Sequence, residues 1–223
     1  MNLLRIRMFV YPVVASAVLF AALFILIFMM PFFLTYPCGF SASKTGLIMI
    51  VPFLFLLVIS PAAGSWYDKM GSRSLCMTGM GLLAASLISL TALDAVTDSW
   101  SVIWRMALAG IGTALFVSPN NTATMNSVPA QRRGIASAGV ATARNIGMVI
   151  GVAIAGLVFT TSFSGLTQGA TLEQYNDAMQ PFFMVSFKRT IIAGAVIALT
   201  GMAVTWARGA EIPTDQGKQE KKG

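Results

Sequence analysis

The sequence predicts an all-α integral membrane protein with six transmembrane helices. Of the 223 residues, 56% are hydrophobic and only 10% are charged, and the apolar residues fall in long blocks. A soluble domain carries charge on about a quarter of its residues. Blocks of about 20 apolar residues match the thickness of a bilayer at the helical rise per residue. A buried helical core of a soluble protein is the alternative, but its polar alternation is missing.

The elements follow in order along the chain. The first apolar block follows Arg5 and Arg7, is too long for a signal peptide and lacks a small-residue cleavage site, so we expect a retained helix. Prolines in or near the spans are compatible with membrane helices, because neighbouring helices can satisfy the freed carbonyls. Residues 208–223 are polar and predict a tail. The predicted spans are 9–34, 44–63, 75–93, 101–125, 135–161 and 189–207.

The basic residues predict the orientation of these spans. With the N-terminus in the cytoplasm, the inside segments hold Arg5, Arg7, Lys69, Arg73, Arg132, Arg133, Arg208, Lys218, Lys221 and Lys222. The outside segments hold only Lys44, Lys188 and Arg189, together with the acids Asp94, Asp98, Glu173 and Asp177. This bias places both termini in the cytoplasm. The net charge of +7 therefore reflects topology beside an anionic lipid leaflet and does not indicate nucleic-acid binding.

The composition argues against enzyme chemistry. The chain has no histidine, so a Ser/His/Asp triad is impossible, and no nucleophile–base pair is evident. Cysteines and carboxylates do not cluster at ligand spacing, so we expect no metal site and no cofactor.

A short charged segment, "GSWYDKMGSR" at residues 64–73, separates the second and third spans. Gly64 would let two helix ends approach, and Gly71 would permit a tight turn. Lys69 and Arg73 would hold the loop at the cytoplasmic surface. Asp68 is an acid among basic residues, and a plain positive-inside hairpin is the alternative interpretation. The hypothesis is that Asp68 forms a latch with Arg132 or Arg133 when an inner gate is shut.

This segment resembles the loop signature of the major facilitator superfamily, G-x-x-x-D-[RK]-x-G-x-[RK]. The stretches "SASKTGLIMIVP" and "IGTALFVSPNNTATMNSVPAQRRGIASAGVATARNIGMVIGVAIAGLV" resemble the C-terminal half of the 14-span drug:proton antiporters of the EmrB/QacA type. The resemblance implies half of a major facilitator fold, built from two inverted three-helix repeats at 1–96 and 97–207. It also implies an efflux transporter in a bacterial inner or plasma membrane. A counterpart of the N-terminal half is not expected within this sequence.

Polar residues inside the spans are candidates for function, because charge in a membrane is costly. Arg144 follows Ile135 by nine residues and lies about 14 Å into the fifth span. It either contacts substrate in a wet cavity or is tethered to carbonyls or Asn145. Arg105 lies near the outer interface, where its side chain can reach the surface. Asn120 and Asn121 follow Pro119 and either mark a gate or satisfy carbonyls freed by the proline.

Small residues recur at a four-residue spacing along the fifth span, at Gly139, Ala143, Gly147, Gly151 and Ala155. Such a stripe lets two helices pack backbone to backbone. It either packs inside the bundle or forms the sliding face against a second bundle.

Three functions remain open. The chain is the C-terminal bundle of a proton-coupled efflux transporter for small amphipathic or cationic molecules, completed by an N-terminal bundle. Alternatively, it is a homodimeric six-span carrier completed by a second copy of itself. From a different class, it is a non-transporting membrane scaffold or remnant. The eight acidic residues all lie in loops, in the tail or at span edges, so the sequence offers no proton-carrying group inside a span.

Overall fold

A computed structural model describes residues 7–207, without the side chains of Arg7, Met8 and Asp68. The predicted tail and the basic residues near both termini lie outside the described residues. The described part of the chain forms helices joined by turns and contains no strand. Six of its helical segments are long and apolar enough to cross a membrane. The predicted all-α membrane fold class is confirmed.

We number the membrane helices α1 to α6. Their bounds are Arg7–Thr35 for α1, Ala42–Tyr67 for α2, Lys69–Leu90 for α3, Ser99–Asn126 for α4, Arg133–Leu166 for α5 and Gln180–Ala207 for α6. The largest difference from the sequence prediction is in α6, which begins at Gln180 and not at 189. Lys188 and Arg189 were expected in an outer loop and instead lie inside this helix. The reason is that Phe183 and Phe187 pack into the core from the first two turns.

The turn between α2 and α3 depends on Gly71. The chain is helical from Ala42 to Leu90 except at Gly71, which has the non-helical angles φ 75° and ψ 158°. Only glycine adopts this conformation readily, and another residue would be strained by about 1–3 kcal/mol. Gly64 has a different role from the expected one. A Cβ at Gly64 would lie 3.5 Å from Ser118 Oγ, an ordinary contact, so no close approach requires glycine there.

Helix α1 is the central element of the bundle. Of its most apolar stretch, 61% is buried, against 17% for α2 and 28% for α5. It packs against α5 and α6, while α2 and α3 pack against α4. Contacts therefore run between the two predicted three-helix repeats as well as within them; their inverted relationship stays a prediction.

Aromatic side chains close the end of the bundle where α1 ends and α6 begins. The rings of Phe33 and Phe187 stack at 4.6 Å between centroids, and Tyr36 meets Tyr175 edge-on at 5.1 Å. Gln180 donates a hydrogen bond from Nε2 to the carbonyl of Pro37 at 3.1 Å. The loop that precedes α6 is thereby fixed to the loop that follows α1.

Candidate functional site

The small-residue stripe of α5 packs against the backbone of α1. A Cβ placed on Gly147 would overlap the backbone of Ala17, and one on Gly151 would overlap the backbone of Ala21. Ala143 and Ala155 of the same stripe are buried, and Gly139 faces Phe9 of α1. The stripe therefore lies inside the bundle. The alternative in which it slides against a second bundle is wrong, because α1 already covers it.

The close crossing of α1 and α5 brings Arg144 beside aromatic and amide groups. Its guanidinium carbon lies 4.8 Å from the ring centroid of Phe20 on α1. One Nη donates to Asn121 Oδ1 on α4 at 3.4 Å. The Nε atom is buried and has no hydrogen-bond partner among the described residues. Arg144 is therefore incompletely satisfied at the junction of three helices.

Asn145 was expected as a possible partner of Arg144, but in the structure Arg144 donates its hydrogen bond to Asn121. The side chain of Asn145 is exposed at the surface of the bundle. Residues adjacent in a helix point about 100° apart, whereas Asn121 reaches Arg144 across the α4–α5 contact. Sequence proximity thus favoured the wrong amide.

Asn120 makes two hydrogen bonds inside the bundle through its Nδ2 amide group. It is 1% exposed, and its Nδ2 donates to the carbonyl of Pro12 at 3.1 Å and to Ser16 Oγ at 3.0 Å. The amide was expected to satisfy carbonyls freed by Pro119 in its own helix. It instead joins α4 to α1, beside a different proline.

Arg105 binds backbone carbonyls at a helix end. Its Nε donates to the carbonyl of Ser89 at 3.0 Å, one Nη donates to the carbonyl of Ser101 at 2.6 Å, and its guanidinium lies 4.4 Å from the ring centroid of Trp104. Ser89 lies in the last turn of α3, where free carbonyls attract positive charge. Arg105 therefore links α4 to the C-terminal end of α3.

An apolar groove of about 450 Å³ lies between α1 and α5. It is lined by Phe24, Met148, Val149, Val152 and Ala153. Phe24 is one helical turn from Phe20, and Met148 is one turn from Arg144, so the groove continues from the guanidinium on the same faces of both helices. Cationic and apolar surfaces are therefore adjacent here.

The residues of the 64–73 segment are only partly placed. Lys69 is exposed, and the guanidinium of Arg73 lies 5.7 Å from the ring centroid of Trp206 on α6. Arg132 ends the short 3-10 turn before α5, and Arg133 begins α5 and is exposed. The side chain of Asp68 lies outside the described residues, so the latch stays a prediction.

Two titratable groups lie in the loops at the aromatic end of the bundle. Burial raises the pKa of the Cys38 thiol to about 11, although Lys44 acts in the opposite direction. Burial also raises the pKa of Tyr175, with smaller contributions from Asp177 and Cys38. Both groups are therefore neutral at physiological pH, and neither forms a charged site.

Comparison with known proteins identifies the family. The model of the Major Facilitator Superfamily matches residues 13–223. The chain belongs to the Major Facilitator Superfamily. It is an integral membrane protein of a transporter family, which confirms the prediction that it is not an enzyme.

Three relatives illustrate the range of this superfamily. The uncharacterized transporter YebQ of Escherichia coli is 35% identical over 70% of this chain and 34% of its own length. The riboflavin transporter RibZ of Clostridioides difficile is 27% identical over 80% of the chain and 38% of its own length. The multidrug resistance protein Stp of Mycobacterium tuberculosis is 30% identical over 81% of the chain and 33% of its own length. The matched segment thus spans about a third of these transporters.

Sequence reasoning identified Arg144 and the two asparagines but missed the residues of α1 that contact them or line the neighbouring groove. Ser16, Phe20 and Phe24 belong to a helix that is apolar almost throughout, so no periodicity distinguishes its faces. Ser16 is the one signal that could have been found, since a hydroxyl in such a span suggests a hydrogen-bond partner.

Proposed function

We propose that this six-helix unit is the C-terminal bundle of a 14-span efflux transporter for small amphipathic or cationic molecules. The observation that carries the proposal is the incompletely satisfied Arg144 beside an apolar groove, in a chain of a transporter family. Ionisable groups at membrane depth usually mark substrate or ion pathways. The multidrug resistance protein Stp among the relatives supports an efflux role.

The unit works with a second bundle, either an N-terminal bundle or another copy of this chain. Major facilitator transport depends on two bundles that rock around a site between them. Large apolar side chains remain exposed on α2 and α5, including Leu57, Val58 and Leu157. The surrounding lipid bilayer covers part of this surface, and the second bundle covers the remainder. Both termini are cytoplasmic in the proposed orientation, in a bacterial inner or plasma membrane.

Transport is coupled to protons through a group on the second bundle. Within residues 7–207, Asp68 lies between α2 and α3, Asp94 and Asp98 lie in the loop before α4, and Glu173 and Asp177 lie in short 3-10 turns before α6. Asp94 pairs with Lys188 at 3.4 Å, with its own side chain 82% exposed. A proton carrier must alternate between sealed and accessible environments, which an exposed loop carboxylate does not do.

A chimera tests this function. In it, the present chain replaces the matching segment of the E. coli relative YebQ, and dye flux is measured in proteoliposomes under an imposed pH gradient. We expect flux of an amphipathic dye from the chimera and none from the lone chain. A folded chimera without gradient-driven flux would contradict the transport proposal. Flux from the lone chain would instead favour the homodimeric carrier.

A further inference from the structure

We propose that the groove beside Arg144 binds an amphipathic anion, meaning a flat apolar molecule that carries a sulfonate, phosphate or carboxylate group. The inference rests on the proposed transport function and, among the amphipathic molecules proposed there, assigns anionic ones to this groove. The anionic group would bind the guanidinium, and the apolar body would lie against Phe24 and Met148.

The anchor is a guanidinium with donors to spare. Arginine has five N–H donors in a planar fork, which matches an oxyanion. Arg144 uses one Nη donor in its 3.4 Å contact with Asn121. Its Nε is buried and unpartnered among the described residues, so the remaining Nη donors are the ones that a ligand can reach. Phe20 holds the guanidinium from one side at 4.8 Å. The position of the charge is therefore fixed before a ligand arrives.

The groove supplies the apolar part of the site. Its volume of about 450 Å³ lies in the range of about 300–1,000 Å³ that is usual for small-molecule pockets. Its walls are apolar and include a methionine, whose flexible thioether adapts to ligands of different outline. The site thus favours a class of molecules and not one shape.

The charge of the site selects an anion. The groups around Arg144 on the neighbouring helices are Phe20 and Asn121, which are neutral. A cationic ligand would meet an uncompensated positive charge, whereas an anion would neutralise it where pairing is most valuable. Arg144 lies eleven residues after Arg133, about 16 Å along α5. A lipid headgroup could supply the same anionic group, and the lipid composition of the nanodiscs in the test separates the two sources.

Two matched fluorescent probes test the inference. Anilinonaphthalene sulfonate is an amphipathic anion, and phenylnaphthylamine is the same ring system without the sulfonate. Both are titrated against the whole chain in nanodiscs of zwitterionic lipid. We compare wild type with Arg144→Gln, Arg144→Lys and the control Arg189→Gln, which removes an exposed guanidinium bonded to Ser162, about five helical turns from Arg144 along α5.

We expect Arg144→Gln to weaken binding of the sulfonate probe about tenfold, the size of one charge-assisted hydrogen bond. The affinity of Arg144→Lys for the sulfonate probe should lie between those of wild type and Arg144→Gln, and the affinity of Arg189→Gln should equal that of wild type. Binding of the neutral probe should change less than about twofold in all variants. Equal effects of Arg144→Gln on both probes would overturn the inference, because the sulfonate charge of the probe would then make no difference to binding. Loss of the Arg144-dependent signal in nanodiscs of anionic lipid would also overturn it, since a headgroup would then be the occupant.

The same probes separate this inference from the proposed function. In the chimera with YebQ, export of cationic dyes without Arg144-dependent export of the sulfonate probe would leave the transport proposal standing and reject the anion site. Arg144-dependent binding of the sulfonate probe without flux of any dye would do the opposite.

Discussion

Helix α1 meets its neighbours in two contrasting ways. At Asn120 and along the Gly147–Gly151 crossing, backbones or polar groups are in close contact and the contacts are complete. On the adjacent face of α5, Arg144 is half-buried, and its Nε has no partner among the described residues. Buried polar groups are nearly always hydrogen-bonded, so an exception requires an explanation. The complete contacts explain stability, and the incomplete one lies where we propose that a ligand binds.

The strongest way to break this comparison is to force the complete contact open. Gly147→Val would place side-chain atoms in the backbone of Ala17 and separate α5 from α1. We expect a loss of more than about 3 kcal/mol of folding free energy and little monodisperse protein. Size-exclusion chromatography in mild detergent measures the fraction of monodisperse protein. The matched control is Gly156→Val on the same helix, where no atom lies within 4 Å. Similar behaviour of the two variants would show that the crossing is not tight.

A smaller effect is expected at the second complete contact. Asn120→Ala removes both hydrogen bonds to α1 and leaves Ser16 Oγ and the Pro12 carbonyl without that amide. The cost should be about 1–2 kcal/mol, because hydrogen bonds between membrane helices are modest. The thermal midpoint, followed by tryptophan fluorescence, should fall clearly. Asn145→Ala, at an exposed position, serves as the matched control and should leave the midpoint unchanged.

Arg144 should contribute less to stability than Asn120 does. Arg144→Gln removes one long hydrogen bond and a contact with Phe20, but it also removes an incompletely satisfied charge. The net change should be under about 1 kcal/mol, measured by the same thermal midpoint. If Arg144→Gln were more destabilising than Asn120→Ala, Arg144 would be a structural tether and the contrast between the two contacts would disappear.

Cys38 adds a third case to the comparison, because its buried thiol stays neutral and therefore needs no charged partner. The pKa of this thiol is raised from 9.0 to about 11 by burial. Its contribution to stability is therefore complete below pH 9 and is lost as the pH rises through 11. Alkylation of Cys38, followed by peptide mass spectrometry, should have a midpoint near pH 11 in the folded chain and near pH 9 in the denatured chain. Equal midpoints would show that the thiol is not shielded.

The sequence predicted most of the fold because the signals are local. Apolar block length predicts a membrane helix, and the positive φ of Gly71 fits the turn that the 64–73 segment indicated. The start of α6 was missed for the same local reason. The charges of Lys188 and Arg189 suggested a loop, but the burial of Phe183 and Phe187 extends the helix through them.

The candidate site was predictable only in part. An arginine and two asparagines inside membrane spans are visible in the sequence, because polar groups are conspicuous among apolar residues. Their roles diverge only in three dimensions: Asn120 donates two hydrogen bonds to α1, whereas Asn121 is the amide that meets Arg144.

The sequence by itself determined that this protein is a helical membrane protein of a transporter family, since composition, block length and a loop motif are properties of the chain alone. The tertiary structure decided which faces meet. It covered the small-residue stripe with α1 and placed Phe20 against Arg144, because packing brings together residues more than 100 positions apart. A uniformly apolar helix such as α1 carries no sequence signal for its partners, so only the packed bundle distinguishes its complete contacts from the incomplete one.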